Sequence, residues 1–119
     1  MRNKQFNVME SILCDNGYYK LDYLTRSKWD KYIKASSGEK YSSYFSWNEF
    51  CYIFTKTTFI YYFSYEGREY SIGKEKALFS LTDEKEGVIE THRTPEELLN
   101  NAKINGRKLS EIYNDLLLN

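Results

Sequence analysis

The chain predicts an α+β fold: N-terminal helices, a three- to four-stranded antiparallel β-meander and two C-terminal helices. Three observations carry this expectation. Apolar residues recur at helical spacing through the first 55 positions. From Phe59 to about His92 the pattern changes to short runs with period-two alternation, separated by turn residues. Thr94-Pro95-Glu96-Glu97 then restarts helical spacing. At 119 residues the chain is the size of a single globular domain, 1–119, with a real core.

Each element has a local cause. Phe6, Met9, Ile12 and Leu13 fit a helix over 4–14, stopped at Asp15-Asn16-Gly17, where Gly can take a left-handed C-cap. A second helix fits 26–35, with Thr25 as N-cap, Trp29, Tyr32 and Ile33 on one face, and Ser36-Ser37-Gly38 ending it. Ser46-Trp47-Asn48-Glu49 reads as a capping box: the Ser hydroxyl accepts an amide three residues on, and the Glu reaches back. Trp47, Phe50, Ile53 and Phe54 would form that helix's apolar stripe, although 47–55 is also rich in strand-favouring aromatics, and strand stays open there.

In the meander, Phe59, Tyr61, Phe63 and Tyr65 point one way, and Thr58, Ile60, Tyr62 and Ser64 the other. Glu66-Gly67 is the expected two-residue hairpin turn, followed by a return strand over 68–72. Further strands fit 77–81 and 88–92, around a polar turn at 83–87. Thr94 caps the next helix, Pro95 occupies its first position without losing a hydrogen bond, and Glu97 closes a box. Asn105-Gly106 breaks that helix, and Leu109, Ile112, Tyr113 and Leu116 mark a last one.

Composition excludes several classes. Lys+Arg and Asp+Glu are both 17, so the formal net charge of zero argues against binding nucleic acid by bulk charge. The most apolar stretch, 50–63, contains Lys56 and is short of the ~20 residues of a membrane span. No apolar leader segment follows the basic start Met1-Arg2-Asn3-Lys4, and no Asn-x-Ser/Thr acceptor occurs. Cys14 and Cys51 lie in apolar-periodic segments and read as reduced core residues of a cytoplasmic protein.

Catalytic constellations are scarce. The single histidine, His92, sits at an expected strand end; pairing with Cys14 or Cys51 as a nucleophile competes with a plain solvated histidine. Two cysteines 37 positions apart and one histidine do not make a zinc set. Gly67 to Lys74 fails as a phosphate loop, because five residues separate its glycines and Glu75 stands where Ser or Thr is required. The expectation is a non-enzyme without cofactor or metal.

Binding features are richer. Lys28, Lys31 and Lys34 with Trp29 make a small basic-aromatic helix, the alternative nucleic-acid site, diluted by Asp22, Asp30 and Glu39. A winged-helix reading fails because the exposed positions of its third helix, Asn48, Glu49, Tyr52 and Thr55, include no Arg or Lys. Twelve tyrosines exceed what this core can hold, so several must present a ring face at the surface, where a contact surface competes with sheet packing that leaves hydroxyls in water. Tyr18, Tyr19, Tyr41 and Tyr44 are the expected partner contacts. Glu84, Glu86 and Glu90, in a C-terminal third (77–119) with eight acidic and five basic residues, are the acidic alternative.

The block Thr94-Pro95-Glu96-Glu97-Leu98-Leu99, then Ala102-Lys103-Ile104, Gly106, Leu109 and Glu111-Ile112, resembles the tails of small proteins of low-GC Gram-positive bacteria and their phages. It covers about a fifth of the chain and consists of caps and core positions, so it transfers no functional residue. The resemblance implies an anti-CRISPR-like or toxin-immunity-like setting, in which a small protein inhibits a larger bacterial enzyme or nuclease complex.

Overall fold

The structure, a computed structural model, describes residues 17–119. The helix expected over 4–14, and Cys14 with it, lies outside the described residues. The rest is α+β, in the order α1 (Tyr23–Tyr32), α2 (Trp47–Lys56), β1 (Tyr61–Tyr65), β2 (Arg68–Glu75), β3 (Leu78–Asp83), β4 (Gly87–His92), α3 (Pro95–Asn101), β5 (Lys103–Ile104), β6 (Arg107–Lys108), α4 (Leu109–Ile112) and β7 (Leu117–Leu118). Three-residue 3₁₀ turns precede α1 and α2 and follow α4.

α1 begins three residues before the position read from the sequence. Its cap is Asp22, whose carboxylate accepts the Thr25 N–H at 2.8 Å, while Thr25 itself is buried. That shift sets the helix frame: Thr25, Trp29 and Tyr32 face inward, and the helix ends at Tyr32 rather than 35. α2 forms with the expected box, Ser46 and Glu49 each satisfying the other's backbone N–H, which decides helix over strand for 47–55.

The sheet runs β4-β3-β2-β1-β7, all antiparallel. Glu66 and Gly67 both have positive φ (50° and 79°), the two-residue turn expected between β1 and β2. β2 and β3 run longer than the sequence suggested, because Tyr70 to Glu75 pairs continuously with Leu78 to Asp83. A register shift opposite Leu81/Thr82 leaves Ile89 of β4 outside the pairing.

The inner sheet face carries Phe59, Tyr61, Phe63 and Tyr65, all buried as the alternation requires. α2 lies against it, placing Phe50 and Phe54 on Tyr61. α1 packs against the same face through Trp29 on Phe59 and Tyr32 on Tyr61. The tyrosine surplus is largely absorbed here: Tyr18, Tyr32, Tyr41, Tyr61, Tyr65, Tyr70 and Tyr113 are all core residues.

The C-terminal region departs most from expectation. α3 starts as read, with Thr94 Oγ1 accepting the Glu97 N–H, but Glu97 meets the Thr94 hydroxyl rather than closing a box on its backbone. Asn105-Gly106, both at positive φ, is the turn of a short β5–β6 hairpin. The last helix is one turn, after which β7 pairs with β1 through Phe63↔Leu118 and Ser64↔Leu117. Its other side is held by the segment around Glu39, with Leu118 N–H donating to Glu39 O and Gly38 N–H to Leu118 O.

Gly17 marks a close approach that only glycine tolerates. Its φ is +85°, and an added Cβ would lie 2.1 Å from the carbonyl oxygen of Lys56 at the end of α2. Gly17→Ala is therefore expected to destabilise the fold by about 1–3 kcal/mol, seen as a lower urea midpoint at unchanged slope. Gly38→Ala, with φ +94° but nothing within 4 Å, is the control that should lose less.

Candidate partner-binding surface

The side chains left outside the core converge at the start of α1. Because Asp22 caps the helix, Tyr23 and Leu24 are its first two residues and point away from the Thr25-Trp29-Tyr32 face. Tyr23 is 78 % exposed, Leu24 73 % and Tyr19, in the preceding turn, 60 %. These are three of the most exposed large apolar side chains among the described residues. Tyr23 and Leu24 form a ridge between two hollows. One, of about 370 Å³, is lined by Tyr18, Tyr19, Tyr23, Arg26, Ser27 and Asp30. The other, of about 390 Å³, lies on the Leu24 side against Lys28, Asn48, Glu49 and Tyr52.

The first hollow is rigidly built. Tyr18 packs edge-on to Tyr19 (centroids 4.9 Å apart) and to the core residue Trp29 (5.2 Å). Its hydroxyl donates to Asp30 Oδ1 at 2.6 Å. Burial first, and then that carboxylate acceptor, push the Tyr18 pKa up to about 12, so the bridge is intact at neutral pH. The Arg26 guanidinium lies over the Tyr19 ring, 5.9 Å from its centroid.

The expected contact residues fare differently. Tyr19 is exposed and lies in the surface; Tyr18 is buried and supports it. Tyr41 is 1 % exposed, its ring packed on Tyr32 and Phe50 and its hydroxyl donating to Tyr62 O, so it cannot present a face to a partner. Tyr44 is half-buried and hydrogen-bonded to Glu39 Oε1 at 2.6 Å, on the far side of Tyr32.

The acidic alternative is divided. Glu84 and Glu86 sit in the β3–β4 turn, where Asp83 Oδ1 accepts the Lys85 and Glu86 amides. Glu84 accepts from Ser71 Oγ at 2.9 Å. Glu90 is on β4 and is held by His92 Nε2 (2.7 Å) and the Lys103 amide (3.0 Å). The three do not form one acidic face. A hollow of about 520 Å³ lies by this turn, lined by Arg68 and Lys85, but Arg68 is committed to Asp83, donating from Nε and Nη2 to one carboxylate oxygen. Those hydrogen bonds hold the Asp83 carboxyl below its usual range.

The basic-aromatic site loses its aromatic member. Trp29 is fully buried between Tyr18, Tyr32 and Phe59, where no base can stack on it. Lys28 is paired with Glu49, while Lys31 and Lys34 are exposed. Cys51 is half-buried against the core, and burial pushes its thiol up to about 11, away from nucleophilic use. Among the described residues no group of three or more His, Cys, Asp or Glu could hold a metal ion. No helix among them is long and apolar enough to cross a membrane.

Sequence reasoning missed Tyr23, Leu24 and Arg26. For Tyr23 and Leu24 the signal was Asp22, three residues before Thr25: reading it as the cap extends the helix through both and places them away from the Trp29–Tyr32 face.

Fold and surface together define a small α+β domain with an aromatic-cationic patch at one helix start. No protein-family model, curated protein or solved structure matches the chain.

Proposed function

We propose that this is a cytoplasmic, non-enzymatic protein that acts by binding another protein, and that Tyr19, Tyr23 and Leu24 are the anchors. The exposed ridge carries this reading: three large apolar side chains stand together in solvent, on a base locked to the core through Tyr18 and Trp29. Exposed tyrosines on a rigid base contribute much contact area for little loss of conformational entropy. The hollows on either side give a partner's side chains somewhere to insert. The resemblance of the C-terminal block to small phage and bacterial proteins supports an inhibitor or immunity role, with a larger bacterial enzyme or nuclease complex as target.

The test is affinity capture from a lysate of a related bacterium, with nuclease treatment, followed by binding measurements on the captured protein. Alanine at Tyr19, Tyr23 and Leu24 together is expected to weaken the complex by at least about 2 kcal/mol. Thermal stability should stay within about 0.5 kcal/mol, because these side chains contribute little to the core. Equal affinity of the triple variant would remove the ridge from the interface.

A further inference from the structure

We infer that the hollow beside the ridge receives a carboxylate side chain of the partner, flanked by an apolar or aromatic residue, and that Arg26 is the group that receives it. This rests on the docking reading above and names the chemistry the partner must present.

The observation behind it is a guanidinium that lines a shaped site and whose buried Nε has no hydrogen-bond partner. Arg26 Nε is buried and meets no hydrogen-bond acceptor among the described residues. The acidic neighbours leave it so. Asp30, one turn on, has Oδ1 engaged by the Tyr18 hydroxyl. Asp22, one turn back, is the helix cap, its Oδ1 accepting the Thr25 amide. Lys28, by contrast, has Glu49, and Arg68 has Asp83. A buried N–H without an acceptor is costly, and a charged acceptor supplied by a ligand relieves that cost with a strong, short bond. The guanidinium fork matches a carboxylate in geometry as well as charge. The Tyr19 ring beneath it limits the directions in which the fork can turn.

The setting selects a protein carboxylate over a nucleic-acid backbone. Phosphate chains are held by several cations in a row. Here Asp22 and Asp30 bracket Arg26 on the same helix, and Lys28 is already neutralised by Glu49. A single carboxylate held by Arg26 meets less of the aspartates' repulsion than a run of phosphates would. Tyr19, Tyr23 and Leu24 around the hollow then call for apolar contact on the same segment.

The test is selection of a random-peptide phage library on the full-length protein, followed by affinities of the enriched peptides for variants. Peptides carrying Asp or Glu next to an apolar or aromatic residue are expected to be enriched. Arg26→Gln should weaken them by about 30-fold or more, and Arg26→Lys, which keeps the charge but not the fork, by an intermediate factor. Replacing the peptide's acidic residue with its amide should cost the wild type as much as it loses with Arg26→Gln, and should cost the Arg26→Gln variant nothing further. Circular dichroism on both variants checks that the fold is retained. Enriched peptides that depend on Tyr19, Tyr23 and Leu24 but not on Arg26 would overturn the carboxylate assignment and leave the docking ridge standing. Peptides indifferent to all four residues, or no enrichment, would overturn both. A single-stranded oligonucleotide that binds with steep salt dependence and is lost with Arg26→Gln would overturn the protein carboxylate in favour of phosphate.

Discussion

Raising the pH from about 10 to about 12 is expected to unfold the protein cooperatively, with tyrosinate absorbance appearing together with loss of far-ultraviolet ellipticity. Tyr41, Tyr61 and Tyr113 have 2 % or less of their surface exposed. Burial raises all three pKa values, Tyr61 to about 12, even though its hydrogen bond with Thr57 works the other way. In the unfolded chain a tyrosine titrates near 10. Between the two values the unfolded state has lost a proton that the folded state still holds. Stability then falls with rising pH, by about 1.4 kcal/mol per pH unit for each such group. The contribution is fully present below pH 10 and is lost as pH climbs towards the folded pKa. Three groups acting together remove about 4 kcal/mol per unit, enough to exhaust the 5–15 kcal/mol of an ordinary domain within a few units. Titration of all twelve tyrosines near pH 10 with the ellipticity intact would contradict this.

Tyr41→Ala is expected to cost about 3–5 kcal/mol of stability, the range of large aromatic truncations in a core. The ring sits between Tyr32 (centroids 5.6 Å apart) and Phe50 (5.5 Å), and its hydroxyl is tied to Tyr62 O and lies 3.3 Å from the Tyr32 hydroxyl. Tyr41→Phe keeps the packing but removes the hydroxyl's hydrogen bond to Tyr62 O, so a loss of about 1 kcal/mol is expected. Urea unfolding of the two variants measures both. From the sequence, Tyr41 was an interface anchor, for which alanine would weaken binding and leave stability alone. That result would restore Tyr41 to a surface, and it is the opposite of what a residue 1 % exposed should give.

The two tyrosine predictions show where local reasoning stops. Counting tyrosines correctly implied that some lie outside the core, but Tyr41 and Tyr23 cannot be told apart by residue type. They are separated by tertiary position: Tyr23 opens α1 on its solvent side, while Tyr41 lies in the turn before α2, its ring covered by Tyr32 and Phe50. Trp29 carries the same lesson. Among lysines on a predicted helix it reads as a stacking platform, yet it faces the sheet because Thr25, Trp29 and Tyr32 share the inward stripe. The Arg26 hollow had no signature in sequence at all. The missing acceptor at Arg26 Nε depends on what surrounds it, and the Tyr18–Asp30 bond beside it joins residues twelve positions apart only in the folded chain.

What the sequence determined by itself is the part governed by short-range physics. The Ser46-Glu49 box, the Thr94-Pro95 start, the Glu66-Gly67 hairpin and the inward set Phe59, Tyr61, Phe63 and Tyr65 all depend on residues a few positions apart, and all are present. The α+β class follows from them. Tertiary structure decided β7, which has only two residues and no pattern of its own. It becomes a strand because β1 on one side and the segment around Glu39 on the other offer it backbone partners from distant parts of the chain. It likewise decided which tyrosines are walls and which are contacts, since burial depends on what covers a side chain, and the helices and sheet that do so are brought together only when the chain folds.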